Sequence, residues 1–280
     1  MYVAAAGLAL IAVAVAWPVP QALTRARWPA RHPAVALALW QSIALTGALS
    51  MIGSLLCLGF APSTTLPDGI ERLSEHLGRG PLPPEFGVIH LSALGFASGL
   101  TAHLAATVAI TVLRTERERR RQHRDIQLLG NPLPGTLRTW VLAHPTPLAY
   151  CLPGLRTRTV LTAGLIEALS EEELRAVLEH ERAHLDQFHH LVLLSFRAWR
   201  LALPWFPMAQ RAERAVALLT EMLADDRARV IVGAKPLQTA LRTVGDAGDL
   251  GVMDSGITDP DAIARRLQRL EYPAQATLER

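Results

Sequence analysis

The chain has 280 residues, half of them hydrophobic, and a mean hydropathy of +0.21. A balance this apolar excludes a disordered chain and argues against an ordinary polar globular protein; it fits membrane segments joined to a modest polar domain. The formal charge is only +3, and apart from Lys235 the cations are arginines, spread out with many at the flanks of apolar runs, so direct nucleic-acid binding is not expected.

Three uncharged runs come first in chain order. They are expected as membrane spans at about 3–20, 34–60 and 87–113, each near the ~20 residues needed to cross a hydrocarbon core of about 30 Å. Residues 1–113 thus form a membrane domain. The first run has no basic segment before it and no small-x-small site after it, so it reads as a retained span and not as a signal peptide. His90 and His103 fall in or near the third run and are expected to make helix-packing hydrogen bonds rather than to ligate. Cys57, inside the second run, and Cys151 give neither a disulfide framework nor a CxxC site.

Arginine placement sets the orientation. The first loop holds Arg25, Arg27 and Arg31 with no acid, whereas loop 61–85 holds Asp68, Glu71, Glu75 and Glu85 against Arg72 and Arg79. Six arginines follow the third span between Arg114 and Arg124. Positive loops stay inside, so the amino terminus is expected outside, and everything from a basic cytoplasmic linker at 114–136 onward is expected in the cytoplasm.

A zinc peptidase domain is expected at 137–234. Leu137 to Leu142 reads as a short strand. LAYCLPG followed by RTRTVLTAG reads as a hairpin, with Tyr150, Pro153 and Gly154 in the turn and Thr157 to Thr162 in the second strand. Ser170 followed by Glu171, Glu172 and Glu173 is a capping box that opens a helix over 171–188, with Leu174, Val177, Leu178 and Leu185 as its apolar positions. On that helix stands His180-Glu181-Arg182-Ala183-His184. Histidines four apart leave one helical face together and can hold one Zn²⁺, with Glu181 between them as general base.

A third ligand has to come from elsewhere. His190 stands where HExxHxxGxxH has its third histidine, but the glycine position is Gln187, and an unbroken helix would carry His190 about 15 Å from His180 along the axis. His189 meets the same obstacle, and both are expected at an interface. Glu221 is the better candidate. It lies in LLTEMLADDRA, on a second helix over 213–230, with Val216, Leu219 and Leu223 packing inward. Asp225, one turn later on the same face, suits an acceptor for a ligand imidazole N–H. Between these helices, 191–208 is apolar but contains Arg197, Arg200, Pro204 and Pro207, and is expected to be interfacial or re-entrant. Residues 235–280 form a C-terminal helical segment, with helices at 235–244 and 259–270. Arg265, Arg266 or a histidine could stabilise an oxyanion.

HExxH on one helix with ExxxD on a later one resembles the gluzincin membrane peptidases of the HtpX type. More closely, AYCLPG, TAGLIEALSEEELRAVLEHERAHL and EMLADDRA together resemble the BlaR/MecR family of membrane zinc peptidases, over about Thr139 to Val230. The resemblance implies a mainly α membrane protein, with about three transmembrane helices and a cytoplasmic α+β gluzincin-like domain built on a small β-hairpin or sheet. It implies one Zn²⁺ per chain on His180, His184 and Glu221, with Glu181 as base and Asp225 behind the ligands. It also implies an extended protein or peptide substrate laid along an edge strand at Arg158, Thr159, Val160, Leu161 and Thr162. A short form without the penicillin-binding sensor domain is expected, in a bacterial plasma membrane, acting on a BlaI-type transcriptional repressor or on itself. A non-catalytic zinc-binding membrane signalling scaffold is the alternative. A transporter with an accidental HExxH fits poorly with three spans and a polar second half.

Overall fold

The computed structural model describes residues 1–76, 85–133, 139–152, 157–247 and 260–271. The chain divides into two compact units. The first comprises Met1–Ala26, Ala38–Ala109 and Ala198–Ala212; the second comprises Arg27–Leu37, Ile110–Arg197 and Glu213–Arg280.

Among the described residues, three helical stretches, Tyr2–Arg25, Pro33–Gly59 and Val88–Leu129, are long and apolar enough to cross a membrane. Most of their apolar surface faces outward, as lipid-facing helices require. The first stretch, expected as one span, is two helices, α1 (Tyr2–Ala16) and α2 (Pro18–Arg25). They meet at Trp17 because Pro18 has no N–H to continue the ladder. Helix α3 is Pro33–Gly59 and α4 is Leu66–His76, the latter within the loop expected at 61–85. Helix α5, Val88–Leu129, does not stop at Leu113. It continues through the arginine-rich residues, where pairs one turn apart such as Arg120–Glu116 (2.9 Å) lend modest support. Much of the segment read as a linker is therefore helix.

The second unit holds a four-stranded sheet in the order β1-β2-β4-β3, with β1 at Gly130–Pro132, β2 at Thr139–Leu142, β3 at Ala149–Leu152 and β4 at Arg158–Thr162. The hairpin expected from the sequence is β3–β4, antiparallel, with Tyr150 opposite Val160. Tyr150 belongs to the strand and not to the turn; Pro153, Gly154 and Leu137 lie outside the described residues. Strand β4 also pairs in parallel with β2, Val141 opposite Leu161. It is therefore a central strand, and the edge assigned to 158–162 belongs to β3 instead. Val160 and Leu161 are fully buried, as a strand covered on both sides demands.

The exit from β4 is tightly specified. The Thr162 hydroxyl accepts from Leu148 N (2.9 Å) and from Leu165 N (3.3 Å), and donates to Thr146 O (2.7 Å). It thereby caps α6 (Ala163–Ala168). Gly164 leaves no room for a side chain, since a Cβ there would stand 1.8 Å from Pro145 O.

Helix α7 (Glu171–Asp186) opens with the expected capping box: Ser170 Oγ accepts from Glu173 N at 3.4 Å, and Ser170 N donates to Glu173 Oε2 at 2.9 Å. It ends two residues earlier than expected, because Phe188 takes a left-handed φ of 53°. Helix α8 (His189–Ala202) and α9 (Pro207–Val232) follow. Helix α9 stops at Gly233, whose φ of 84° suits glycine and whose N–H bonds Arg229 O at 2.9 Å. Helices α10 (Ala234–Ala247) and α11 (Pro260–Glu271) are the last elements among the described residues. Ala176 of α7, Ala228 of α9, Leu237 and Leu241 of α10 and Leu270 of α11 share one core. Each buried leucine contributes about 1.5–3 kcal/mol, so α11 is an integral part of the fold.

Candidate metal centre

Helix α7 supplies His180, Glu181 and His184, and α9 supplies Glu221 and Asp225. Histidines at i and i+4 share a face, and that face of α7 meets the acidic face of α9. His180 Nε2 and His184 Nε2 are 3.1 Å apart. Glu221 Oε2 lies 3.3 Å from His180 Nε2, and Glu221 Oε1 lies 3.3 Å from His184 Nε2. Two imidazole lone pairs this close need a proton or a cation between them. A tetrahedral ion with bonds of about 2.0–2.1 Å has donor–donor edges of about 3.3 Å, so the triangle fits a zinc ion. Among the described residues, these three form the group of donors able to hold a metal.

Each imidazole is held from behind. His180 Nδ1 stands 2.9 Å from Asp225 Oδ1, an electrostatic contact whose alignment falls short of a regular hydrogen bond. His184 Nδ1 stands 3.1 Å from His189 Nδ1, and His189 Nε2 stands 3.0 Å from Gln187 Oε1. Ligation through Nε2 would leave the His184 proton on Nδ1. That nitrogen would then donate to His189, and His189 would donate from Nε2 to Gln187.

The sequence reading discounted His189 because an unbroken helix would carry it away from the site. The helix does break, without a glycine, at Phe188. The turn returns His189, buried to 1% exposure, to the back of His184. His190 does not join the donor group.

Burial opposes charge throughout the site, and each group's neighbours decide the outcome. Desolvation disfavours protonated His180, but Asp225 and Glu221 outweigh it and raise its pKa to about 10. Burial pushes His184 and His189 down to about 4. Burial raises Glu181 to about 7, with Glu221 adding to the shift, while His180, the Cys151 N–H and Arg266 oppose it. That N–H reaches Glu181 Oε2 at 3.2 Å from β3, tying the edge strand to the carboxylate between the two histidines. Desolvation would raise Glu221 and Asp225 as well, yet Arg266 above all holds both below the carboxylate range.

Arg266, on α11, clamps the acidic face. Its Nε and Nη2 each lie 2.7 Å from an Asp225 oxygen, and its Nη1 lies 3.0 Å from Glu221 Oε2. The side chain is 5% exposed. A guanidinium committed to two carboxylates is a support for the donors, so the oxyanion role considered for Arg266 is replaced by this one. Arg265 is exposed. Arg158 to Thr162 lie in the paired strand β4, with Arg158 over the Trp140 ring at 5.1 Å.

Residues 113–244 match the sequence model of peptidase family M48. The match covers a little under half of the chain, includes α7 and α9 with all the donor residues, and stops before α11. It supports a metallopeptidase function for this region, and zinc is the metal of that family in general. No curated protein and no solved structure matches the chain.

Proposed function

We propose that the chain is a membrane-embedded zinc endopeptidase that hydrolyses peptide bonds of a cytoplasmic or membrane-proximal protein. The observation that carries this reading is the donor triangle of His180, His184 and Glu221, with Glu181 between the two histidines on the same helix and its carboxylate 3.2 Å from the Cys151 N–H. A zinc ion held there would polarise the scissile carbonyl and make water a stronger nucleophile at neutral pH. Glu181 would take a proton from the attacking water and later return it to the leaving amine as the C–N bond breaks. Asp225 and His189 hold the two imidazoles, and Arg266 holds Glu221 and Asp225.

An extended substrate would pair with β3, the sheet edge. Tyr150 and Leu152 face β4 in the antiparallel ladder, so the peptide groups of Ala149 and Cys151 point the other way. Cys151 N–H already points at Glu181. Backbone pairing on this edge would align a strand with the general base while reading little of its sequence.

The three apolar stretches and the placement of arginines support a multi-pass protein of a bacterial plasma membrane, with the amino terminus outside and the peptidase domain in the cytoplasm. The BlaR/MecR-like motifs support a regulatory substrate, a BlaI-type repressor or the chain itself. Metal content of detergent-purified protein tests the site. One zinc per chain is expected, lost or weakened in His184→Ala and in Glu221→Ala. Glu181→Gln is expected to keep zinc and lose hydrolysis of an added unstructured protein. A Glu181→Gln protein that kept its full biological role would identify a zinc-binding scaffold.

A further inference from the structure

Two features play no part in the chemistry: a histidine in the middle of the third apolar stretch, and the apolar segment inserted between the HExxH helix and the Glu221 helix. They meet. His103 Nε2 donates to Ala202 O, the last carbonyl of α8, at 3.0 Å. Phe206, in the turn between α8 and α9, packs against Trp17, with ring centroids 6.5 Å apart. Residues 198–212 belong to the same compact unit as the apolar helices.

We propose that the α8–α9 turn, Leu203–Phe206, is the tip of a re-entrant hairpin standing in the acyl region of the bilayer, with His103 capping the last carbonyl of α8. The proposal rests on the reading of α1–α2, α3 and α5 as membrane spans. Depth follows from helix geometry. Arg114 lies 114 − 103 = 11 residues beyond His103 on α5, about 16 Å at 1.5 Å per residue. Arg25 lies 25 − 17 = 8 residues beyond Trp17 along α2, about 12 Å. Both contacts set the tip a dozen or more ångströms inside the arginine level, approaching half of a hydrocarbon core of about 30 Å. A complete crossing is excluded, since the 14 residues of α8 reach only about 21 Å.

The local chemistry suits lipid. A helix end leaves carbonyls without intrahelical partners, and in hydrocarbon each one left unsatisfied costs several kcal/mol. His103 satisfies the carbonyl of Ala202. Pro204 and Pro207 bring no N–H into the turn, and the N–H groups of Leu203, Phe206 and Ala209 bond Trp199, Leu203 and Phe206 carbonyls at 3.0–3.1 Å. Ala202, Ala209 and Ala212 are buried, which permits close helix approach, while Trp205 is 76% exposed at the tip. Arg197 and Arg200, which argue against membrane entry, are half-buried and each has a partner within the protein. Arginines of this kind also reach toward the interface along their long stems.

The test is the depth of a nitroxide at Trp205→Cys in full-length protein carrying Cys57→Ser and Cys151→Ser, reconstituted in phosphatidylcholine–phosphatidylglycerol vesicles. Relaxation by oxygen and by a nickel chelate reports the depth. Leu49→Cys, on the exposed face of α3, is the membrane control, and Asp186→Cys is the aqueous one. The expected result is a Trp205→Cys label about 12–16 Å inside the level of Arg25 and Arg114, from the helix rise used above. His103→Leu is expected to move it toward the interface, and His103→Gln, which restores a donor, to move it less. A label at the headgroups while Leu49→Cys is deep would overturn the hairpin and leave the spans standing. A water-exposed Leu49→Cys label would overturn the spans themselves. An unchanged depth in His103→Leu would overturn the capping role.

Discussion

Arg266→Ala should damage the metal centre from a position no ligand occupies. The wild-type guanidinium spans two buried carboxylates, at 2.7 and 2.7 Å on Asp225 and 3.0 Å on Glu221. Truncation leaves two buried acids with only protonated His180 between them as counter-charge, and breaking a buried pair in this way costs about 3–5 kcal/mol. For a domain of this size each kcal/mol lowers the melting temperature by about 2–4 °C. The metal-free variant should therefore unfold roughly 6–20 °C below wild type. Zinc affinity should fall by about 10–100-fold, because Asp225 would no longer be held behind His180. Zinc should therefore raise both melting temperatures but widen the gap, since the variant that binds it more weakly gains less from the same concentration. Arg266→Lys should recover only part of each loss, as a point charge cannot make the two-pronged bond. Arg265→Ala, at an exposed neighbour, should change neither quantity. The assay is thermal unfolding in detergent with chelator and with saturating zinc, alongside competition titration of zinc. An Arg266→Ala protein that melts with wild type in chelator and binds zinc with wild-type affinity would refute the clamp.

His189→Ala should weaken zinc binding by about 10–100-fold by freeing the His184 ring; competition titration checks it, and unchanged affinity would remove His189 from the support of the site. In the metal-free protein burial raises Glu181, so the folded state holds a proton that the unfolded chain releases between about pH 4.5 and 7. This loss of stability opposes the gain over the same range from His184 and His189, whose burial keeps them neutral while the unfolded chain is protonated. Glu181→Gln should remove the Glu181 component, visible as a melting temperature that changes more favourably between pH 5 and pH 7.5 than in wild type; an equal change would show that Glu181 is not perturbed by burial. Gly164→Ala drives a Cβ to within 1.8 Å of Pro145 O, and should cost at least the ~1–3 kcal/mol of an overpacked core. Chemical denaturation measures that cost, and a neutral result would mean the β4–α6 junction relaxes freely.

What could be read along the chain is what short-range physics determines. Helix α7 was legible from Ser170 and Glu173, because a capping box joins residues three apart. The pairing of His180 with His184, and of Glu221 with Asp225, followed from spacings of four on a 3.6-residue turn. The apolar stretches were legible because crossing hydrocarbon demands length and composition together. Contacts between distant segments lay beyond that reach. From sequence β4 reads as an edge, because hairpin signals mark only its pairing with β3, whereas its parallel partner β2 lies across an intervening strand. The sequence offers no sign that His189 returns to the site, because nothing in Gln187-Phe188 announces the left-handed residue that breaks the helix there. Arg266 stands 41 residues from Asp225, and no local pattern binds an arginine on α11 to an aspartate on α9. Only the packing of α11 against α7, α9 and α10 brings that charge to the buried acids, where the cost of leaving them unpaired holds it in place.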